Sequence, residues 1–234
     1  MNKHKINHFY LIILILITGL STNLVQAQDF RLGFKGNPLF SMVKPNTDYN
    51  NSAGTKIGFS YGVMFDYFLK EHYAISTELG ISSLGGNVEY SKSDTTISTN
   101  LKMNYVEIPI AIKLLTEKIN NKTKIFGKFG ANIAVATKNS ATISYKKNGV
   151  EYAYDDMKDA SKYMQSFNIS LVMGGGVEYN LTKNLDLVLG LTYTNGFLNT
   201  MKSPSIYRLN NTNPNIKAFE ADLNYFAINI GLLF

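Results

Sequence analysis

Eight stretches of this 234-residue chain alternate bulky apolar residues with small or polar ones, and the period of the alternation is two. In NYVEIPIAIKLL, from Asn104 to Leu115, Val106, Ile108, Ile110, Ile112 and Leu114 fall on one face. Glu107, Pro109, Ala111 and Lys113 fall on the other. Side chains alternate across a strand, so the stretch reads as a β-strand set between two different environments. A helical reading would place Glu107 and Lys113 among β-branched residues that favour strands in any case. The same pattern recurs over residues 30–35, 57–67, 73–82, 125–135, 167–179, 185–194 and 226–234.

The connections alternate in length. Leu69 to His72, Leu115 to Lys122 and Asn180 to Asn184 are short, whereas Ser41 to Gly54, Gly85 to Asn100, Thr137 to Gln165 and Asn195 to Lys217 are long. Short turns on one side and long loops on the other predict an all-β fold, an eight-stranded antiparallel up-and-down transmembrane β-barrel with both ends on the short-turn side. A barrel of this size has an interior just wide enough for side chains. The Phe, Tyr, Ile and Leu of the apolar face are too bulky for it, and the Gly, Ala, Ser and Asn of the other face suit it. The apolar face is therefore expected to meet lipid, a soluble lipocalin-like periplasmic binding barrel being the alternative. Phe30, Tyr67, Tyr73, Tyr179 and Phe234 fall near the short-turn rim, as an interfacial aromatic girdle would.

The N-terminus agrees with export. Lys3 and Lys5 precede an apolar run from Phe9 to Ile17, and small residues stand near Ala27. This reads as a cleaved signal peptide over 1–27, followed by one barrel domain over 28–234. The run is short of the roughly 20 apolar residues of a spanning helix. Cleavage removes two lysines from a formal net charge of +6, and the modest remainder names no nucleic-acid partner. Cysteine is absent, so neither disulfides nor thiolate metal sites are expected, and His72 is the histidine left after cleavage.

The inward set carries Arg31, Lys35, Asp66, Glu78, Glu107, Lys113, Lys128, Glu178 and Asp186. Four cations against five acids predict a lumen charge network of mutual ion pairs, because desolvated charges are costly without partners. An ion path is the functional counterpart. Glu107 with Lys128 on the neighbouring strand is the expected pair, and Pro109, which lacks a ladder donor, is expected at a bulge facing the lumen. Gly174-Gly175-Gly176 lacks the lysine and Ser/Thr of a phosphate loop and reads as close packing in the wall. Asp155, Asp156 and Asp159 lack the glycine and terminal glutamate of a calcium loop. No metal, cofactor or catalytic residue is expected.

The third long loop contains ISYKKNGVEYAY, Ile143 to Tyr154, centred on the hairpin turn signal Asn148-Gly149. Tyr145, Tyr152 and Tyr154 there, with Phe197 and Tyr207 in the last loop, are the expected extracellular contacts, since tyrosine offers contact area at small entropic cost. The last loop also holds Leu198, Met201 and Ile206.

RLGFKGN (31–37), YVEIPIAIK (105–113), MGGGVEYNL (173–181), GLTYTNGF (190–197) and the terminal Phe234 together resemble the PorT-like outer-membrane β-barrel family, within the OmpA-like eight-stranded class. The resemblance implies insertion by the barrel assembly machinery through the last strand, with Phe234 as terminal aromatic. It also implies residence in outer-membrane lipid but not one function, the family's namesake being similar to an accessory factor in type IX secretion. The expected function is a non-enzymatic barrel whose long loops face outward and bind a ligand or a partner, such as an extracellular or secretion-system protein, as an accessory to protein secretion. A narrow passive channel and a rim enzyme are the competing expectations.

Overall fold

The computed structural model describes residues 30–46, 50–202 and 220–234. The expected signal peptide over 1–27, Ile206 and Tyr207 lie outside the described residues. The architecture is that of the unit Arg31–Phe234. Its strands are β1 (Phe30–Pro45), β2 (Asn50–Ser52), β3 (Lys56–Lys70), β4 (Tyr73–Lys92), β5 (Thr95–Leu115), β6 (Thr123–Lys147), β7 (Val150–Met157), β8 (Phe167–Thr182), β9 (Leu185–Gly196) and β10 (Ala221–Leu233). Neighbours run β4-β3-β1-β10-β9-β8-β6-β5, and β5 pairs again with β4, so eight strands close into an up-and-down ring. β2 and β7 are short additions beside β4 and β6.

Which face meets which medium follows from the side chains. Ile108, Ile110, Ile112 and Leu114 point outward and are exposed, as are Phe59, Tyr61, Ile75, Leu79, Ile81, Phe129, Ile133, Leu191, Phe226, Ile228 and Ile230 on the other strands. Glu107, Lys113, Asp66, Glu78 and Glu178, one position out of phase, are buried inside. A lipocalin-like arrangement requires the reverse, and this apolar outer band excludes it.

The short turns occur where the connections predicted them. Lys70 and Tyr73 pair across one of them, and Thr182 and Leu185 across another. The opposite end differs from expectation. β4 and β5 continue to Lys92 and Thr95, leaving only Ser93 and Asp94 between them, and β6 runs on to Lys147. The second and third "long loops" are therefore largely strand. Their inward residues Val88, Ile97, Ile143 and Tyr145, with the flanking Leu84 and Leu101, are buried in one apolar core, which stabilises the extension. Ser, Thr and Asn at the alternate positions give these stretches the composition of loops. At the tip of β6 and β7, Asn148 and Gly149 both have positive φ, 50° and 79°, as a type I′ hairpin turn demands.

The expected bulge at Pro109 is absent. Its register with β4 is continuous from Ile110 opposite Thr77 to Glu107 opposite Gly80. The missing donor is tolerated because the ladder skips that step, while the Thr77 hydroxyl donates to the Pro109 carbonyl at 3.0 Å. The irregularity in β5 lies instead at Asn104/Tyr105, against β6. In the glycine run, Gly176 sits opposite Gly190. A Cβ at Gly176 would come within 2.9 Å of the Phe126 ring and 2.1 Å of the Leu189 carbonyl, so the bare backbone there makes room for an inward aromatic.

Candidate functional site

Two parts of the barrel carry polar chemistry, the lumen and the hairpin end. The lumen is built in tiers. Nearest the short turns, Arg31 donates to Asp186 at 2.7 Å and to Glu178 at 2.8 Å, with Asp66 at 3.8 Å. Lys113 stands 2.5 Å from both Asp66 and Glu178. The two cations also lie over the rings of Phe68 and Phe126, at 4.7 and 4.9 Å from the centroids. Arg31 and Asp186 keep about a fifth of their side-chain surface, 20% and 18%, so water reaches only this edge of the cluster.

One tier higher, Glu78 is clasped by two ammonium groups, Lys35 and Lys128, the latter at 3.1 Å. Above that, Glu107 accepts hydrogen bonds from Asn132 and from the Tyr225 hydroxyl, each at 2.9 Å. This corrects the expected Glu107–Lys128 pair. The register sets Glu107 opposite Ala134, two positions from Asn132, whereas Lys128 faces Lys113. Those two lysines avoid each other by turning to different carboxylates. Among the described residues Glu107 has no cation within 4 Å. Its partners were illegible in the sequence, because Tyr225 belongs to a strand 118 residues away.

Apolar layers bound the charged tiers at both ends. Met64, Leu115, Phe126, Val188 and Leu233 cluster at the short-turn end. At the hairpin end, Leu39, Met103, Tyr105, Ile143, Met164 and Leu223 belong to a larger buried core. A strap after β7 completes it. Ala160 and Met164 are fully buried, and the strap is tied by Ala160 N–H to the Asn139 carbonyl at 2.9 Å and Gln165 N–H to the Thr200 carbonyl at 2.8 Å. Two cavities between these layers measure about 40 Å³, beside Glu107, Glu78 and Lys35, and about 20 Å³, beside Asp66 and Lys113. A water needs roughly 10–15 Å³, so each of these two spaces fits at most a few waters.

The expected contact residues divide. Tyr152 and Tyr154 are exposed on β7, at 59% and 61%, and Phe197 is exposed at 58%. Tyr145 is buried in the core at 3%, because it lies on the inward face of β6 opposite Ala153, so it is no surface contact. Phe30, Tyr67, Tyr73, Tyr179 and Phe234 are all outward and exposed near the short turns. Asp155 and Asp156 form part of β7. Asp159 accepts the Ser161 N–H at 3.0 Å, which holds its carboxyl below the usual range and makes it a turn cap.

Lys113→Met removes the cation shared by two buried carboxylates and should lower stability by about 3–5 kcal/mol. The exposed Lys147–Asp94 pair, at 3.7 Å, should tolerate Lys147→Met with a loss of about 0–1 kcal/mol. Urea denaturation of the refolded barrel measures both, and equal losses would contradict the buried network. Glu107→Gln keeps an acceptor for Tyr225 and removes an unpaired charge, so stability should hold or rise within about 1 kcal/mol. Glu178→Gln should lose several times more, and equal losses for the two variants would assign Glu107 a cationic partner.

The outer membrane protein β-barrel domain model matches residues 26–200. Similar solved structures include Neisserial surface protein A, 14% identical with a TM-score of 0.46, covering 87% of this chain and 95% of that one. Ail, the attachment invasion locus protein of Yersinia pestis, is 13% identical with a TM-score of 0.37, covering 88% and 99%. OprG from Pseudomonas aeruginosa is 11% identical with a TM-score of 0.47, covering 88% and 96%. The comparison with curated proteins finds no match. With the family model spanning most of the ring and an apolar band around its outside, the chain belongs to the outer membrane protein β-barrel domain family and resides in the lipid of the bacterial outer membrane.

Proposed function

We propose that this barrel is a non-enzymatic surface protein whose hairpin end binds a protein partner, as an accessory to protein secretion. The observation that carries the reading is the contrast between its two polar regions. The lumen is packed with charge pairs and one carboxylate held by neutral donors, set between apolar layers, which suits a structural role better than a path for flux. The hairpin of β6 and β7 holds Tyr152 and Tyr154 out in solvent. Long connections of such barrels face the cell exterior and short turns face the periplasm. Among the described residues β7 is bonded only to β6, so its other edge offers backbone groups to an extended partner segment. The PorT-like motif YVEIPIAIK supports the secretion role.

Reconstituted in a planar bilayer, the protein should pass no steady current, and reproducible single-channel steps would favour the passive-channel reading. A Tyr152→Ala/Tyr154→Ala double variant should retain the faster gel mobility of an unboiled barrel while export of secretion substrates in its host falls severalfold. Unchanged export with intact mobility would overturn the partner surface.

A further inference from the structure

A second charged feature lies outside the lumen, on the outer wall just above the apolar band. Along β5 the outward residues run Leu114, Ile112, Ile110, Ile108 and Val106, then Asn104, Lys102 and Asn100. On β6 the outward set ends at Val135, and Lys138 follows. The register places Asn104 opposite Lys138 and Lys102 opposite Ser140, so the two lysines are diagonal neighbours on one face. A third ammonium joins them from β3. Lys56 reaches across β4 to the Asn100 side-chain oxygen at 2.6 Å and the Leu101 carbonyl at 3.0 Å. Its path is open because β4 has Gly85 there. A Cβ on Gly85 would stand 2.9 Å from the Lys56 chain.

The four lumen cations all have carboxylate partners. Among the described residues, none of Lys56, Lys102 and Lys138 has one within 4 Å. Lys56 and Lys102 meet above Gly85, and Lys138 stands one diagonal step nearer the apolar band with Asp159 as its nearby acid but no ion pair to it, so like charges from three strands line one face that is short of an anion. Height decides what anion. Lys138 stands level with Asn104, two positions beyond Val106, Lys102 four beyond it, and the Lys56 ammonium at Leu101 and Asn100, so the three lie on the order of 7–20 Å along the strand from the last apolar residue, at the level of lipid head groups above the hydrocarbon.

We infer that Lys56, Lys102 and Lys138 form a binding site for the phosphorylated head group of an outer-leaflet lipid, whose acyl chains lie against the apolar wall of β4, β5 and β6. Lysine ammonium groups donate to the phosphate oxygens, while Asn100, which accepts from Lys56 at 2.6 Å and donates to Asn87 at 2.8 Å, holds the Lys56 ammonium in place. Assignment to the outer leaflet rests on the hairpin end facing the exterior, and the binding itself is testable without that orientation or any secretion readout.

The test is native mass spectrometry of the full chain in neutral detergent micelles, titrated with bis-phosphorylated lipid A, dephosphorylated lipid A and inorganic phosphate. The wild type should form a one-to-one adduct with the phosphorylated lipid. The K56Q/K102Q/K138Q variant, its folding verified by gel mobility, should bind on the order of a hundredfold more weakly. A K118Q/K122Q control at the short-turn rim should match wild type, and dephosphorylated lipid should bind both proteins weakly. Equal lipid A binding by the triple variant, or equal binding of the dephosphorylated lipid, would overturn the site. Displacement of the lipid by inorganic phosphate at matched concentration would overturn the lipid and assign a free anion instead.

Discussion

Every backbone N–H and C=O that enters hydrocarbon must find its partner within the protein, at several kcal/mol for each that does not, and ring closure meets this requirement here. Once β5 pairs with β4, no edge is left within the band, and the remaining properties follow from that closure. The outward residues have only lipid to contact and are apolar. The inward residues have only one another. Eight strands leave a bore about as wide as its side chains, so the inner face is a packing problem before it is a passage.

The lumen solves that problem by separating charge from oil along the axis. Carboxylates and cations gather toward the short-turn end, where Arg31 and Asp186 still touch water. A carboxylate held by neutral donors comes next, and an apolar core fills the hairpin end. Buried ion pairs alone are weak support for stability, because desolvation offsets most of their attraction. Their multiplicity is what counts. Asp66 and Glu178 each contact both Arg31 and Lys113, so cations from β1 and β5 are joined to acids from β3 and β8 across the bore.

How far the sequence discloses this depends on the range of the interaction. Strand identity and facing are local, and a period of two from Val106 to Leu114 reveals both. Partner choice is not local. Glu107 and Lys128 look like a pair in adjacent strands, yet a stagger of six residues separates Ala134, which Glu107 faces, from Lys128. The pairing was decided by turn length and by contacts across the bore, which no single stretch records. The β4–β5 extension is hidden in the sequence for a different reason. Thr95 to Asn100 is rich in Ser and Thr, which suits a loop, and the inward Ile97 and Leu101 are the quiet signal of a strand continuing above the membrane. Tyr145 is concealed in the same way, because its hairpin has an inward face.

That continuation sets a clearance. β6 has 25 residues, about 80 Å of extended chain, of which a tilted membrane crossing uses roughly ten residues. The rest stands clear of the bilayer as a stiffened mast, braced by its own apolar filling and not by lipid. A hairpin carried at that height meets its surroundings beyond the lipid head groups. Its angle of approach is fixed by the barrel wall, so any molecule that docks on the tip is held at a set distance and bearing from the membrane.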